Sequence, residues 1–278
     1  MLDPFCGTAG FLAQTLTTWQ SAGANAAMFA RVYGVDISSQ IAQIAKLNLV
    51  ISGGNAENIL VADTLSRSTL ETHGIRGSNF DVIISNPPIG MVISNLERFA
   101  DYQLAYTQKD SQLRQRMRIE ELYIEQFLYL LKPGGRAGFI VPESILSTTR
   151  NRSLREWLFN NATVEAVISL PAGIWPSTTI KTSVLVISKQ QQTTGKPVFM
   201  GVVNSVGVDR LGRAAAQNDL PLIARYYDDF RSTQVAPSDD TAWVVPSTRA
   251  LIDRLDVIAL LPSSQRTIEQ LKQLVQLC

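Results

Sequence analysis

The residues of this chain best suited to chemistry are neither the usual nucleophiles nor metal ligands. They are Asn86-Pro87-Pro88, delivered by the apolar run Phe80-Asp81-Val82-Ile83-Ile84-Ser85 and followed by Ile89-Gly90. Two prolines fix the backbone and remove two N–H donors, leaving carbonyl oxygens free to accept. The asparagine side chain adds another acceptor. Such a set can grip an exocyclic amine by both hydrogens and steer its lone pair toward an electrophile. For the tripeptide alone, an ordinary Asn-Pro-Pro turn is the alternative.

Three more segments belong beside it. Asp3-Pro4-Phe5-Cys6-Gly7-Thr8-Ala9-Gly10 opens a helix with small residues, so a ligand can approach the backbone and meet the amides of the helix N-terminus. Its spacing is not G-x-G-x-x-G, and a tight turn without a ligand is the competing reading. Asp36 follows the apolar run Val32–Val35 and precedes a helix. Its carboxylate is therefore expected beside the first turn, able to accept hydrogen bonds from a ribose diol. The alternative is an acidic residue at a helix N-terminus, interacting with the dipole. Asp63, ending the next strand, adds a third polar group. Ligands of doubly wound sheets bind in the crevice at the carboxyl ends of the strands, where all these groups fall.

The elements that must position them alternate in type. Apolar runs at Arg31–Val35, Asn58–Val61, Phe80–Ser85, Arg136–Val141, Val164–Leu170 and Thr182–Ser188 read as strands, with Pro197–Val203 as one more. Helical spacing covers Gly10–Trp19, Ser38–Ser52 (capped by Ser38 and stopped by Gly53-Gly54), Arg118–Leu131 (ended by Lys-Pro-Gly-Gly) and Arg150–Phe159. The pattern predicts an α/β protein with a mostly parallel sheet and helices on both faces. Beyond Lys189 it weakens, with a linker expected at Pro237–Asp240 and a short helix at Thr267–Leu277. Only Met1 and Leu2 precede the first turn, too few for the strand it requires. The chain therefore reads as N-terminally truncated, its first strand missing or partial.

Composition bounds the chemistry further. Of 278 residues, 45% are hydrophobic and 18% charged, which excludes a disordered, collagen-like or disulfide-scaffold protein. Lys and Arg number 25 against 24 Asp and Glu, so the net charge of +1 advertises no strongly basic surface. One histidine, His73, and two distant cysteines, Cys6 and Cys278, cannot build the usual zinc cluster or a histidine-based triad, and no metal is expected. With no disulfide framework, signal peptide or apolar run of ~20 residues, the expected location is the cytoplasm.

These motifs resemble those of adenine-specific DNA methyltransferases, above all the methylation subunit of type I restriction-modification systems. The resemblance rests on Asp-Pro-Phe-Cys-Gly-Thr-Ala-Gly-Phe-Leu (3–12), Gly-Val-Asp-Ile (34–37), Ala-Asp-Thr-Leu (62–65) and Phe-Asp-Val-Ile-Ile-Ser-Asn-Pro-Pro (80–88). It continues through Leu-Lys-Pro-Gly-Gly-Arg (131–136), Val-Pro-Glu-Ser-Ile-Leu (141–146), Leu-Pro-Ala-Gly-Ile-Trp (170–175) and Ile-Lys-Thr-Ser-Val-Leu (180–185). It implies the Rossmann-like fold of S-adenosylmethionine-dependent methyltransferases, with a catalytic domain over 1–205. Residues 206–278 would be a small C-terminal extension leading into a target-recognition region.

By the same resemblance, Asp3, Pro4, Cys6, Gly7, Thr8, Gly10, Asp36, Ile37, Asp63 and Asn86 bind S-adenosylmethionine. Asn86, Pro87, Pro88 and Ile89 hold the target adenine, flipped from the duplex. Ile89 departs from the family, which usually places an aromatic residue there to stack on the base, a contact worth ~1–3 kcal/mol. The implied partners are double-stranded DNA, a specificity subunit or fused target-recognition domain, and a restriction subunit, with no membrane. Arg114, Arg116, Arg118, Arg150, Arg152 and Arg155 are candidate phosphate contacts, or equally solvated faces. A non-catalytic remnant or assembly subunit, and methylation of RNA or protein glutamine, stay open.

Overall fold

The computed structural model describes residues 1–262 except 95, 108–110, 177, 192, 236 and 238–239. Contacts divide the chain into two units, Met1–Phe139 and Ile140–Cys278.

In the first unit the alternation of apolar runs and helical spacing produces β1 (Leu2–Asp3), α1 (Gly10–Ser21), α2 (Ala26–Phe29), β2 (Tyr33–Asp36), α3 (Ser39–Ile51), β3 (Ile59–Val61) and α4 (Arg67–Thr72). There follow β4 (Phe80–Ser85), β5 (Val92–Ser94), β6 (Arg116–Arg118), α5 (Ile119–Leu130) and β7 (Leu131–Pro142). The sheet order is β7-β4-β1-β2-β3, every neighbouring pair parallel. β5 and β6 form a separate antiparallel ribbon.

Local chemistry explains the boundaries. Ser38 caps α3 by accepting a hydrogen bond from the Ile41 amide at 3.3 Å. Gly53, at φ +87°, ends that helix where a side chain would be strained. At Gly34 a Cβ would lie 2.8 Å from Ile59 Cδ1, 2.9 Å from Leu12 Cδ1 and 3.0 Å from Cys6 Cβ. Only glycine lets the first turn and α1 pack this closely on β2. The core there comprises Leu12 and Leu16 of α1, Ala42, Ala45 and Leu49 of α3, and Cys6, Val32 and Ile59.

The first strand is present in part: Leu2 and Asp3 form a two-residue strand, in which Leu2 pairs with Tyr33 on one side and Ile83 on the other. Leu2 is completely buried there. Leu2→Ala should cost about 2–5 kcal/mol, read as a lower urea midpoint at unchanged slope; a wild-type midpoint would contradict this account of β1. α5 ends at Leu130, within a residue of the expected bound, and Lys132-Pro133-Gly134-Gly135 follow it inside β7, where the register with β4 shifts between Phe80 and Val82.

The second unit contains α6 (Glu143–Ser147), α7 (Arg152–Asn161), β8 (Thr163–Ser169), β9 (Thr182–Ser188), β10 (Pro197–Val202), β11 (Val206–Val208), β12 (Ala214–Asn218), α8 (Leu220–Thr233), β13 (Ala242–Pro246) and α9 (Ala250–Asp253). β8 pairs antiparallel with β9 and parallel with β10, and β10 pairs antiparallel with β13. The parallel expectation thus describes the first unit, whereas the second is mixed. α8 falls in the stretch of weak pattern. Its buried Ile223 and Phe230 are seven residues apart, and Tyr227 and Phe230 pack their rings on Phe199 of β10. The helix expected at Thr267–Leu277 lies outside the described residues, as does part of the Pro237–Asp240 linker. No helix among the described residues is long and apolar enough to cross a membrane.

Candidate active site

Four strands of the first unit each deliver one expected residue to the same sheet edge. Asp3 ends β1, Asp36 ends β2, Asp63 follows β3 and Asn86 follows β4. Because these four strands are adjacent and parallel, their carboxyl ends form one rim.

The first turn is pinned to β2 twice. The Cys6 amide donates to the Val35 carbonyl at 2.9 Å, and the Gly7 amide donates to Asp36 Oδ2 at 3.1 Å. Asp36 Oδ1 accepts from the Ser38 amide at 2.8 Å. The carboxylate, half-buried, is held against the turn as expected. Gly7 (φ +51°) and Ala9 (φ +64°) both adopt left-handed backbone. At Ala9, an L-residue with a strained preference, this is the cost of starting α1 so soon after the turn. A Cβ at Gly7 or Gly10 would meet no atom within 4 Å, so the space beside the turn is open. Thr8 and Ile37 are exposed on the same rim, whereas Cys6 packs into the core. Burial raises the Cys6 thiol, which makes it a poor nucleophile at neutral pH.

The third wall is tied to the first by Thr64, whose hydroxyl donates to the Pro4 carbonyl. Asp63 Oδ1 accepts from the Leu65 amide at 3.0 Å, and Oδ2 lies 3.6 Å from Arg98 Nη1. Gln126 of α5 supports this loop by donating to the Thr64 carbonyl at 2.9 Å. On the fourth wall Pro87 is buried, Pro88 and Ile89 are half-buried, and Asn86 is exposed. Its amide escapes the hydrogen bonds that tie down Asp3 and Asp36.

Asp3 itself points inward. It is 1% exposed and accepts from Ser85 Oγ at 2.7 Å and from the Phe5 amide at 3.1 Å. Burial pushes its carboxyl up to about 7 in spite of those bonds, with Asp36 adding to the rise. The folded state therefore holds a proton that the unfolded chain releases near pH 4. Stability is largest below that value and falls as the pH rises toward 7, by a few kcal/mol at ~1.4 kcal/mol per pKa unit. Asp3→Asn keeps an acceptor and removes the titration. Its melting temperature should exceed that of the parent at pH 8 and converge with it near pH 4. A constant difference across that range would show that Asp3 does not titrate there.

Sequence reading missed Thr64, Ser85, Arg98 and Gln126. Ser85 carried a usable signal, being a hydroxyl at an inward position of an apolar strand; the others carried none. The arginine expectation is corrected in part. Arg155 is 1% exposed and donates to the carbonyls of Ile145, Thr148, Ile252 and Asp253, which excludes a phosphate role. Arg114 pairs with Glu121, and Arg152 with Asp253 and Glu156. Arg116 and Arg118 lie on β6 rather than a helix face. Among the described residues no group of three His, Cys, Asp or Glu side chains is placed to hold a metal ion.

Residues 1–245 match the family described as N-6 DNA Methylase. The type I restriction enzyme MpnII methylase subunit of Mycoplasma pneumoniae is 27% identical over 208 residues, covering 71% of this chain and 37% of that one. The chain therefore spans well under half the length of this relative. A chain solved in a study of complex assembly and conformational transition of the type I R-M system superposes with a TM-score of 0.70 at 19% identity, covering 99% of this chain and 58% of the other. A putative class I S-adenosylmethionine-dependent methyltransferase from Listeria monocytogenes gives 0.61 at 22% identity, covering 81% and 62%. At these identities the superpositions show a shared fold.

Proposed function

The chain belongs to the N-6 DNA methylase family, and from that premise we propose that it transfers a methyl group from S-adenosylmethionine to the exocyclic amine of adenine in DNA. The observation that carries the proposal is the common rim. The Asp36 carboxylate rests on the Gly7 amide, and two strands away Asn86 presents an exposed amide. The residues fit the cofactor: the space beside Gly7 and Gly10 is open, and Asp36 is held rigidly with lone pairs to spare. Asp36 accepts from the ribose hydroxyls. Asp63 and Ile37 border the adenine ring, and Gly7, Thr8 and Gly10 of the turn line the remainder, with the buried Asp3, Pro4 and Cys6 supporting the turn from behind.

When bound, S-adenosylmethionine supplies an electrophilic methyl group. The chain's own part is positioning and electrostatics. The Asn86 side-chain carbonyl and the Pro87 carbonyl accept the two amine hydrogens, which fixes the direction of the nitrogen lone pair. The same acceptors stabilise positive charge as it develops on that nitrogen. Pro88 stiffens the loop and Ile89 packs on the base. Residues 1–205 constitute the catalytic domain and 206–278 its extension. The partners are double-stranded DNA, a specificity subunit or fused target-recognition domain, and a restriction subunit, in the cytoplasm. The Mycoplasma relative, itself a methylase subunit of a type I restriction enzyme, supports this.

The test is calorimetric titration with S-adenosylmethionine, alone and with a specificity subunit, followed by labelled methyl transfer to duplex DNA, RNA and protein. Saturable binding and label in N6-methyladenine of DNA are expected. Absence of binding in both titrations, or label confined to RNA or glutamine, would overturn the proposal.

A further inference from the structure

Glu120, in the first turn of α5, is completely buried, which for a carboxylate requires a reason. Its Oε1 accepts a hydrogen bond of 2.7 Å from the amide of Gly90, four residues beyond Asn86. Its Oε2 has no hydrogen-bond partner, and neither does the hydroxyl of Tyr123, one helical turn along the same face and equally buried. Tyr123 also meets the ring of Phe5, in the first turn, edge-on at 6.1 Å. The pair thus sits where the first turn and the Asn86–Gly90 loop approach α5. A second bond, from the Ile119 amide to the Met91 carbonyl at 3.0 Å, ties the same loop to the start of the helix.

A loop that starts with two prolines can supply few amides of its own. Gly90, at φ +79°, turns its N–H toward α5, a conformation that a residue with a side chain adopts only with strain. The buried acceptor therefore holds the loop through one of its few donors. Two unsatisfied buried polar atoms remain beside it, and a feature retained at such cost in a core points to a role other than packing.

We infer that Glu120 is a positioning residue, which fixes the base-gripping shape of the Asn86–Gly90 loop through the Gly90 amide. The inference rests on the methyltransferase reading for its kinetic consequence, but the anchor itself is independent of it. Three variants of the full chain test it. Glu120→Gln keeps the acceptor, Glu120→Leu removes it at similar volume, and Gly90→Ala strains the loop without touching the α5 core, since its Cβ meets no atom within 4 Å.

Glu120→Leu and Gly90→Ala should each accelerate amide exchange over residues 86–91. They should leave S-adenosylmethionine affinity unchanged and slow single-turnover methyl transfer, by about 10²-fold for Glu120→Leu, as expected for a misplaced reacting group. Glu120→Gln should keep the parent's exchange and rate. Parent-like exchange in Glu120→Leu, or equal losses in Glu120→Gln and Glu120→Leu, would overturn the inference. Should Glu120→Leu not fold, the contrast between Gly90→Ala and Glu120→Gln decides. If the unaltered protein transfers no methyl group, the functional reading fails, and exchange alone decides whether Glu120 anchors the loop.

Discussion

Asn86→Ala should lower methyl transfer by at least about 10²–10³-fold, the range typical of deleting one preorganised group that stabilises transition-state charge. Affinity for S-adenosylmethionine should stay close to that of the parent. The separation follows from position: Asn86 is exposed just beyond β4, while Asp36, the proposed ribose acceptor, ends β2. Stability should also change little, because the side chain packs against nothing that its loss would leave unsatisfied. Single-turnover methylation together with calorimetry separates the two effects. Comparable methylation by the alanine variant would mean that the amine is held elsewhere.

Asp36→Ala should do the reverse, abolishing cofactor binding first. Hydrogen bonds to a charged group contribute about 1.5–3 kcal/mol each, so losing two ribose contacts predicts ~10²–10⁴-fold weaker binding. The Gly7 and Ser38 amides would also lose their acceptor, loosening the turn. Asp36→Asn retains an acceptor oxygen and should fall between parent and alanine. The measurement is the S-adenosylmethionine dissociation constant of the three proteins. If the alanine variant binds as tightly as the parent, Asp36 does not face the ribose.

Much of this could be read from neighbouring residues. β4 and β9 have the bounds expected of them, Phe80–Ser85 and Thr182–Ser188, because a short, β-branched-rich run bounded by turn residues has few other fates. Ser38 caps α3, and a cap acts within three residues of itself. What went unread shows the opposite property. α8 buries only Ile223 and Phe230, and apolar side chains such as Leu220 lie exposed, so its buried stripe was too thin to stand out. β1 is too short for any periodicity, and its pairing with Tyr33 and Ile83 exists only because β2 and β4 flank it.

The candidate site divides along the same line. Residue types at the ends of apolar runs identified Asp36, Asp63 and Asn86, since a strand end in a parallel sheet faces the ligand crevice wherever the strand lies, and the turn of small residues identified Asp3. Strand order decided what those residues touch. Asp36 meets Gly7 across 29 residues of sequence, Ser85 meets Asp3 across 82, and Gly90 meets Glu120 across 30. It also decided that Asp3 is buried, with its carboxyl pushed up to about 7, while Asp36 stays half-exposed against the turn. Two aspartates ending neighbouring strands look alike in sequence, because solvation and hydrogen bonding depend on what the rest of the chain folds around them.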